Sequence, residues 1–142
     1  MELQWGEYRI SSDKSVLSLD VISGFLATSY WAKNRPLPVI QKSIENSNCF
    51  GVYHNDRQVG FARVITDYAT VFYLSDVFII PEYQGRGLGK WLVGSIVNDE
   101  RFAGLAGVLG TRGAEGLYEK FGYRVPPQPT VFMARLPVNK PD

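Results

Sequence analysis

Apolar residues fall at Leu19, Ile22, Phe25, Leu26 and Tyr30, steps of three and four that predict a helix over 19–30. Ser18 is placed to cap its start, and Gly24 weakens it by ~1 kcal/mol relative to alanine. The stretch Asn34-Arg35-Pro36-Leu37-Pro38 breaks the periodicity, and a second short helix is expected from Pro38 to about Glu45. Before these helices, Glu7 to Ile10 reads as a first strand. After them the pattern changes to short runs rich in aromatic and β-branched residues, at Cys49–Tyr53, Gln58–Thr66 and Thr70–Ile80, which predicts three strands. Their links are too short for crossovers, so they form an antiparallel meander. Pro81 ends the third. An apolar helix is expected from Leu88 to about Val97, then a buried strand at Gly107–Thr111. A short helix follows at Ala114–Phe121 with Gly122 as its stop. Tyr123–Val125 starts a strand, Pro126, Pro127 and Pro129 interrupt it, and Thr130–Leu136 resumes it. Asn139–Asp142 reads as a frayed tail. The long link from Ile80 through a helix to Gly107 allows a parallel crossover. The fold class is therefore α+β (mixed α/β), a mixed sheet of six to seven strands flanked by about four helices.

Composition narrows the function. The 142 residues are 45% hydrophobic and 20% charged, ordinary for one globular domain able to bury roughly 68–70% of its unfolded surface. A net charge of +1 lacks the basic footprint of a dedicated nucleic-acid binder. Cys49 is the only cysteine and His54 the only histidine, so neither an intrachain disulfide nor a Cys/His zinc site can form. No metal is expected. No apolar run approaches the ~20 residues of a membrane span. Met1-Glu2-Leu3-Gln4-Trp5 lacks the basic stretch and apolar core of a signal peptide, so a cytoplasmic location is the expectation. Cys49 reads as a small buried hydrophobe and His54 as a residue of a surface turn.

The segment Gln84-Gly85-Arg86-Gly87-Leu88-Gly89 lies between a strand and a helix. Glycines there let the backbone approach a phosphate, and the first N–H groups of the helix point at it. A P-loop would need glycine at 84 and a hydroxyl at 91, where Gln84 and Trp91 stand, and a dinucleotide fingerprint would need glycine where Lys90 stands. The segment instead resembles the acetyl-CoA signature [QR]-x-x-G-x-[GA] of the GNAT acetyltransferase superfamily, filled by Gln84, Gly87 and Gly89. Downstream, Ala114-Glu-Gly-Leu-Tyr-Glu-Lys-Phe-Gly-Tyr123 is similar to the family's A-x-x-L-Y-x-x-x-G-[FY] segment. The resemblance covers about Cys49 to Ala134. It implies one acetyltransferase domain over residues 1–142 and a sheet splayed between Thr70–Ile80 and Gly107–Thr111, with pantetheine in the gap. It further implies that the loop Gly85, Arg86, Gly87, Leu88, Gly89 and Lys90 holds the pyrophosphate, with Gln84 in the signature. Backbone groups of Phe78 and Ile80 then pair with pantetheine, and the Phe78 N–H is expected to polarise the thioester carbonyl. Arg86 and Lys90 either add charge to the phosphates or are solvated cations.

Acetyl transfer to an amine needs a deprotonated amine, a donor to the developing oxyanion, and a proton for the leaving thiolate. Tyr118 matches the family's tyrosine near the sulfur and is the expected acid; as a residue at helical spacing with Leu117 and Phe121 it also fits a plain core position. Asp76 is the lone carboxylate of an apolar strand on which Leu74, Asp76, Phe78 and Ile80 share a face if the strand is regular. It either serves the amine, pairs with Arg63 on the neighbouring strand, or sits on a bulge that turns it to solvent. Asp67 at a strand end suits turn chemistry better. Tyr30 and Trp31 beside the proline break, with Arg35, Tyr68 and Phe72, are the expected acceptor-binding residues, although such aromatics also serve as packing. No nucleophile–base pair is evident, which fits direct transfer. The expectation is an N-acetyltransferase passing the acetyl group of acetyl-CoA to a primary amine of a small molecule or a protein. The alternatives are a non-catalytic acyl-CoA sensor on the same fold and, less favoured, a nucleotide-binding protein. A homodimer pairing through C-terminal strands is a further expectation.

Overall fold

The computed structural model describes residues 1–137. Its sheet has six strands in chain order: β1 (Glu2–Trp5), β2 (Tyr8–Ser11), β3 (Asn48–His54), β4 (Arg57–Thr66), β5 (Val71–Ile79) and β6 (Ala106–Val108). The first five pair antiparallel and β6 runs parallel to β5. Helices α1 (Leu19–Leu26) and α2 (Leu37–Glu45) precede β3; α3 (Leu88–Val97) and α4 (Glu115–Glu119) flank β6 in sequence. The expected class, a mixed α+β sheet with about four helices, is observed. No helix of the described residues is long and apolar enough to cross a membrane.

Two apolar layers hold the sheet. On one side Ile22 and Leu26 of α1 and Ile40 of α2 pack with Cys49, Phe61 and Phe78. On the other, Leu88, Leu92, Val93 and Ile96 of α3 pack with Phe50, Val52, Val64 and Leu74. Phe78 stacks on Phe25 with centroids 4.1 Å apart and planes at 7°. Such a pair adds ~0.5–1.5 kcal/mol beyond the area it buries.

Several boundaries differ from the sequence pattern. Glu7–Ile10 is the second half of a hairpin whose first strand, β1, is exposed throughout and so carries no alternation to read. Helix α1 stops at Leu26 rather than Tyr30, because the Thr28 and Ser29 hydroxyls donate to the Phe25 and Leu26 carbonyls at 2.6 and 2.7 Å and close its end. Ser18 caps it as expected, its Oγ accepting from the Val21 N–H at 3.2 Å. The strands expected at Tyr123–Val125 and Thr130–Leu136 do not form. Prolines 126, 127 and 129 remove the donors a ladder needs. Val125, Val131, Phe132, Met133 and Leu136 stay exposed there, and among the described residues β6 keeps a free outer edge. The tail at Asn139–Asp142 lies outside the described residues.

The feature that shapes the site is in β5. Phe61 pairs with Phe78 and Arg63 with Ser75, so Ala62 alone faces both Asp76 and Val77. This is a β-bulge, and Asp76 takes φ +53° there, a conformation aspartate tolerates better than most residues. The extra residue shifts the alternation. Leu74 belongs to the α3 side of the sheet and Phe78 to the α1 side, so the shared face expected for Leu74, Asp76, Phe78 and Ile80 does not exist.

Candidate active site

β5 and β6 pair only at Val71–Ala106, Phe72–Gly107 and Tyr73–Val108. Beyond Tyr73 the strands part, and among the described residues the edge of β5 from Leu74 onward has no strand neighbour on that side. A cavity of about 530 Å³ opens at the split, lined by Leu74 to Val77 of β5, Leu109 to Arg112 after β6, Tyr30, Trp31 and Arg35 from the α1–α2 link, and Tyr118 of α4.

Which backbone groups face the gap follows from one hydrogen bond. The Ile80 N–H donates to the Val59 carbonyl at 2.9 Å, towards β4. Groups two residues apart in a strand point the same way, so the Phe78 N–H faces β4 as well, consistent with its pairing to Phe61. The expectation that Phe78 and Ile80 offer the free edge is corrected by one residue. Val77 and Ile79 are the pair turned to the gap. A bulge at Asp76 is one of the readings the sequence leaves open, but it turns the carboxylate inward rather than to solvent, and its effect on the edge leaves no periodic trace in the strand.

At the end of β5 the Pro81–Tyr83 turn leads into the glycine loop. Gly85 and Gly87 have φ +81° and +82°, where a side chain is strained. Gly87 is the N-cap of α3, and a Cβ on it would lie 3.5 Å from the Trp5 ring. The N–H groups of Leu88, Gly89 and Lys90 head the helix without intrahelical acceptors. Gln84 ties the loop to β5 by donating from Nε2 to the Ile79 carbonyl at 2.8 Å. Arg86 is engaged: it donates to the Tyr8 hydroxyl at 3.0 Å and the Glu82 carbonyl at 3.2 Å, and lies 4.6 Å over the Tyr83 ring. Lys90 stays exposed at the mouth of a shallow groove with Trp5 and Trp91. A loop of helix-start amides with room for backbone approach, at the open end of a split strand pair, fits an anion joined to an extended chain.

A family model described as "Acetyltransferase (GNAT) domain" matches residues 45–125. The chain belongs to the GNAT acetyltransferase family. A solved Xanthomonas campestris protein described as a GNAT-family acetyltransferase is 40% identical, with TM-score 0.88 over 94% of this chain and 95% of that one. An acetyltransferase by name from Gibberella zeae is 33% identical over 66% of this chain and 64% of its own length, so the chain spans under two thirds of that relative. A GNAT structure from Elizabethkingia anophelis, solved with acetyl-CoA bound, has TM-score 0.66 at 14% identity, covering 87% of this chain and 80% of that one.

Within this GNAT site, Tyr118 and Asp76 come to one cavity but in different states. Tyr118 is largely buried at the cavity wall, edge-on to Tyr123. Its hydroxyl has no hydrogen-bond partner among the described residues, and burial, helped by Tyr30, raises its pKa. It is held as a phenol. Asp76 is fully engaged. Its Oδ1 accepts from Trp31 Nε1 at 2.9 Å, and Oδ2 accepts from Arg35 Nη1 and Arg63 Nε, each at 2.8 Å. Burial pushes its carboxyl up, but the two guanidiniums outweigh burial and hold it below the usual carboxylate range. The ion pair with Arg63 is thus present. A carboxylate so occupied is a poor proton acceptor and a good anchor for Trp31 and Arg35.

Tyr30 and Trp31 line the cavity and pack edge-on, centroids 5.1 Å apart. Tyr68 does not reach it. It sits on the β4–β5 turn and donates to Asn48 Oδ1 at 2.9 Å, because Asp67 folds that turn back on Ala69 and Thr70. His54 is less peripheral than a turn residue. Its ring bridges the Tyr83 hydroxyl at 2.8 Å and Glu7 at 3.1 Å and braces the turn before the glycine loop. Cys49 is buried and its thiol is pushed up to about 11 by burial, unsuited to carry an acyl group. Arg112, also in the cavity lining, has no signal in the sequence, since a lone arginine in a loop forms no pattern.

Proposed function

We propose that the chain is an N-acetyltransferase that passes the acetyl group of acetyl-CoA directly to a primary amine. The observation that carries this reading is that β5 parts from β6 beyond Tyr73, lines one cavity with Tyr118 there, and runs at its end into the glycine loop. Bound acetyl-CoA supplies the activated thioester. The amides from Gly85 to Lys90 hold its pyrophosphate. Val77 and Ile79 pair with pantetheine as a missing strand would, and the Val77 N–H is aimed to donate to the carbonyl oxygen as charge grows there. The neutral amine enters from the cavity, its nitrogen bonds to the acetyl carbon, and the C–S bond breaks. Tyr118 passes its proton to the thiolate and regains one from the nitrogen, through water at the cavity mouth. Asp76 takes no proton; it fixes Trp31 and Arg35 as one wall.

The test is acetyl-CoA consumption across a panel of amines, by thiol release. Tyr118→Phe is expected to lower turnover ~100-fold, within the range general acids contribute, with acetyl-CoA affinity changed less than a few-fold. Unchanged turnover would return Tyr118 to a packing role. Tight acetyl-CoA binding with no turnover on any amine would favour the sensor reading.

A pair of chains belongs to the same proposal. Among the described residues the outer edge of β6 has no strand partner, and the exposed apolar segment Thr130–Leu136 has no edge to pair with. Both lie on every copy, so a second copy satisfies both by two-fold exchange.

A further inference from the structure

We infer that the acceptor amine also carries an anionic group, a carboxylate or a phosphate monoester, and that Arg112 with Arg35 receives it. The inference rests on the acetyltransferase reading of the cavity and names the class of its acceptor.

The charge around the cavity is one-sided. Its lining holds Arg35, Arg112 and Asp76 as the ionisable groups of full charge at neutral pH. The Asp76 side chain is only 1% exposed and its oxygens are already shared between Arg35, Arg63 and Trp31. It therefore presents no anion to a ligand. Arg35 uses Nη1 alone among its donors within the described residues, and its side chain is 22% exposed. Arg112 makes no hydrogen bond or ion pair among the described residues. Its guanidinium stands 4.5 Å over the Tyr30 ring, which orients the fork without consuming a donor. The nearest acid in sequence, Glu115, accepts from the Gly113 N–H at 2.7 Å and so serves its own loop.

Two guanidiniums facing one cavity, with no accessible carboxylate among the described lining residues, repel a polyamine and attract an anion. They also help the chemistry. A positive field lowers the pKa of an ammonium group beside it, which raises the fraction of neutral amine able to attack. A zwitterionic acceptor satisfies both ends: its anion meets the arginines at the rim and its amine lies towards the β5–β6 split.

The experiment measures binding of product analogues, so it does not depend on turnover. N-acetyl-L-leucine is compared with its carboxamide, and N-acetyl-O-phosphoethanolamine with N-acetylethanolamine, by calorimetric titration into the wild type, Arg112→Gln and Arg112→Glu. The anionic member of at least one pair is expected to bind ~10-fold or more tighter than its neutral counterpart, the usual scale for a hydrogen bond to a charged group. Arg112→Gln is expected to remove most of that ratio and Arg112→Glu to invert it. Which pair shows the ratio tells carboxylate from phosphate. Equal binding of charged and neutral members, no binding of any at millimolar concentration, or a ratio unmoved in both variants overturns the inference. A parallel acetyl-CoA titration keeps the two claims apart. Charge preference without acetyl-CoA binding would sink the acetyltransferase reading and leave the anion site; the reverse would sink only the anion site.

Discussion

Asp76 gathers three side-chain donors at one left-handed backbone position. It adopts a left-handed backbone that costs a non-glycine residue ~1–2 kcal/mol, at a bulge, in a nearly dry site. Two guanidiniums and an indole hold it there. Removing the charge with Asp76→Asn leaves Arg63 and Arg35 facing a neutral amide. A loss of about 3 kcal/mol in urea unfolding is expected at neutral pH, the scale for breaking one partner of a buried pair. The sign with pH follows from the depressed pKa. Its folded value lies below its unfolded one, so the stabilisation is complete above the ordinary carboxylate range near ~4. It is lost as pH falls through the lower folded value. The gap between wild type and Asp76→Asn should thus be flat from neutral pH down to that range and close below it. A gap that widened on acidification would contradict the ion pair. The sequence allowed both this pairing and a role as base; a one-dimensional pattern lists partners but cannot count how many meet at one carboxylate.

At the scale of elements, the loop between β5 and α3 was legible because its chemistry is local. Glycine spacing, the strand before it and the apolar helix after it lie within one short stretch. Gly87 separates conformation from ligand. Gly87→Ala meets only ordinary contact with Trp5 and should cost the ~1–2 kcal/mol of its positive φ with acetyl-CoA affinity reduced modestly. Gly87→Glu adds charge against the pyrophosphate and should abolish binding. Wild-type affinity in Gly87→Glu, measured by calorimetry, would remove the loop from the cofactor site. A bulge at Asp76 is among the readings the sequence leaves open, but which backbone groups it turns to the free edge could not be read. The bulge depends on Ala62 facing two residues, a pairing fact held by β4 and β5 jointly, and it moved the free edge from Phe78 and Ile80 to Val77 and Ile79. Tyr68 lies away from the cavity for a similar reason: its loop is folded by Asp67, while the cavity is walled from the α1–α2 link.

For the whole molecule, the antiparallel meander, the parallel β6 and the two helical layers followed from link lengths and periodicity, whereas the C-terminal segment did not. Its apolar run reads as a strand, yet Met133 is 92% and Val125 88% exposed. If a second copy covers them, light scattering should report a dimer at micromolar concentration, and Phe132→Asp should yield a folded monomer. A wild-type monomer across that range would reject the exchange. The central claim is that the loop and the split hold acetyl-CoA, and thermal unfolding tests it most directly. At ~100 times its Kd a ligand adds about 2.7 kcal/mol, which for a chain of this size raises the midpoint by roughly 5–10 °C. Acetyl-CoA is expected to give that rise, with ATP and NAD giving none. No shift with millimolar acetyl-CoA would contradict the assignment of the glycine loop and, with it, the acetyl transfer built on it.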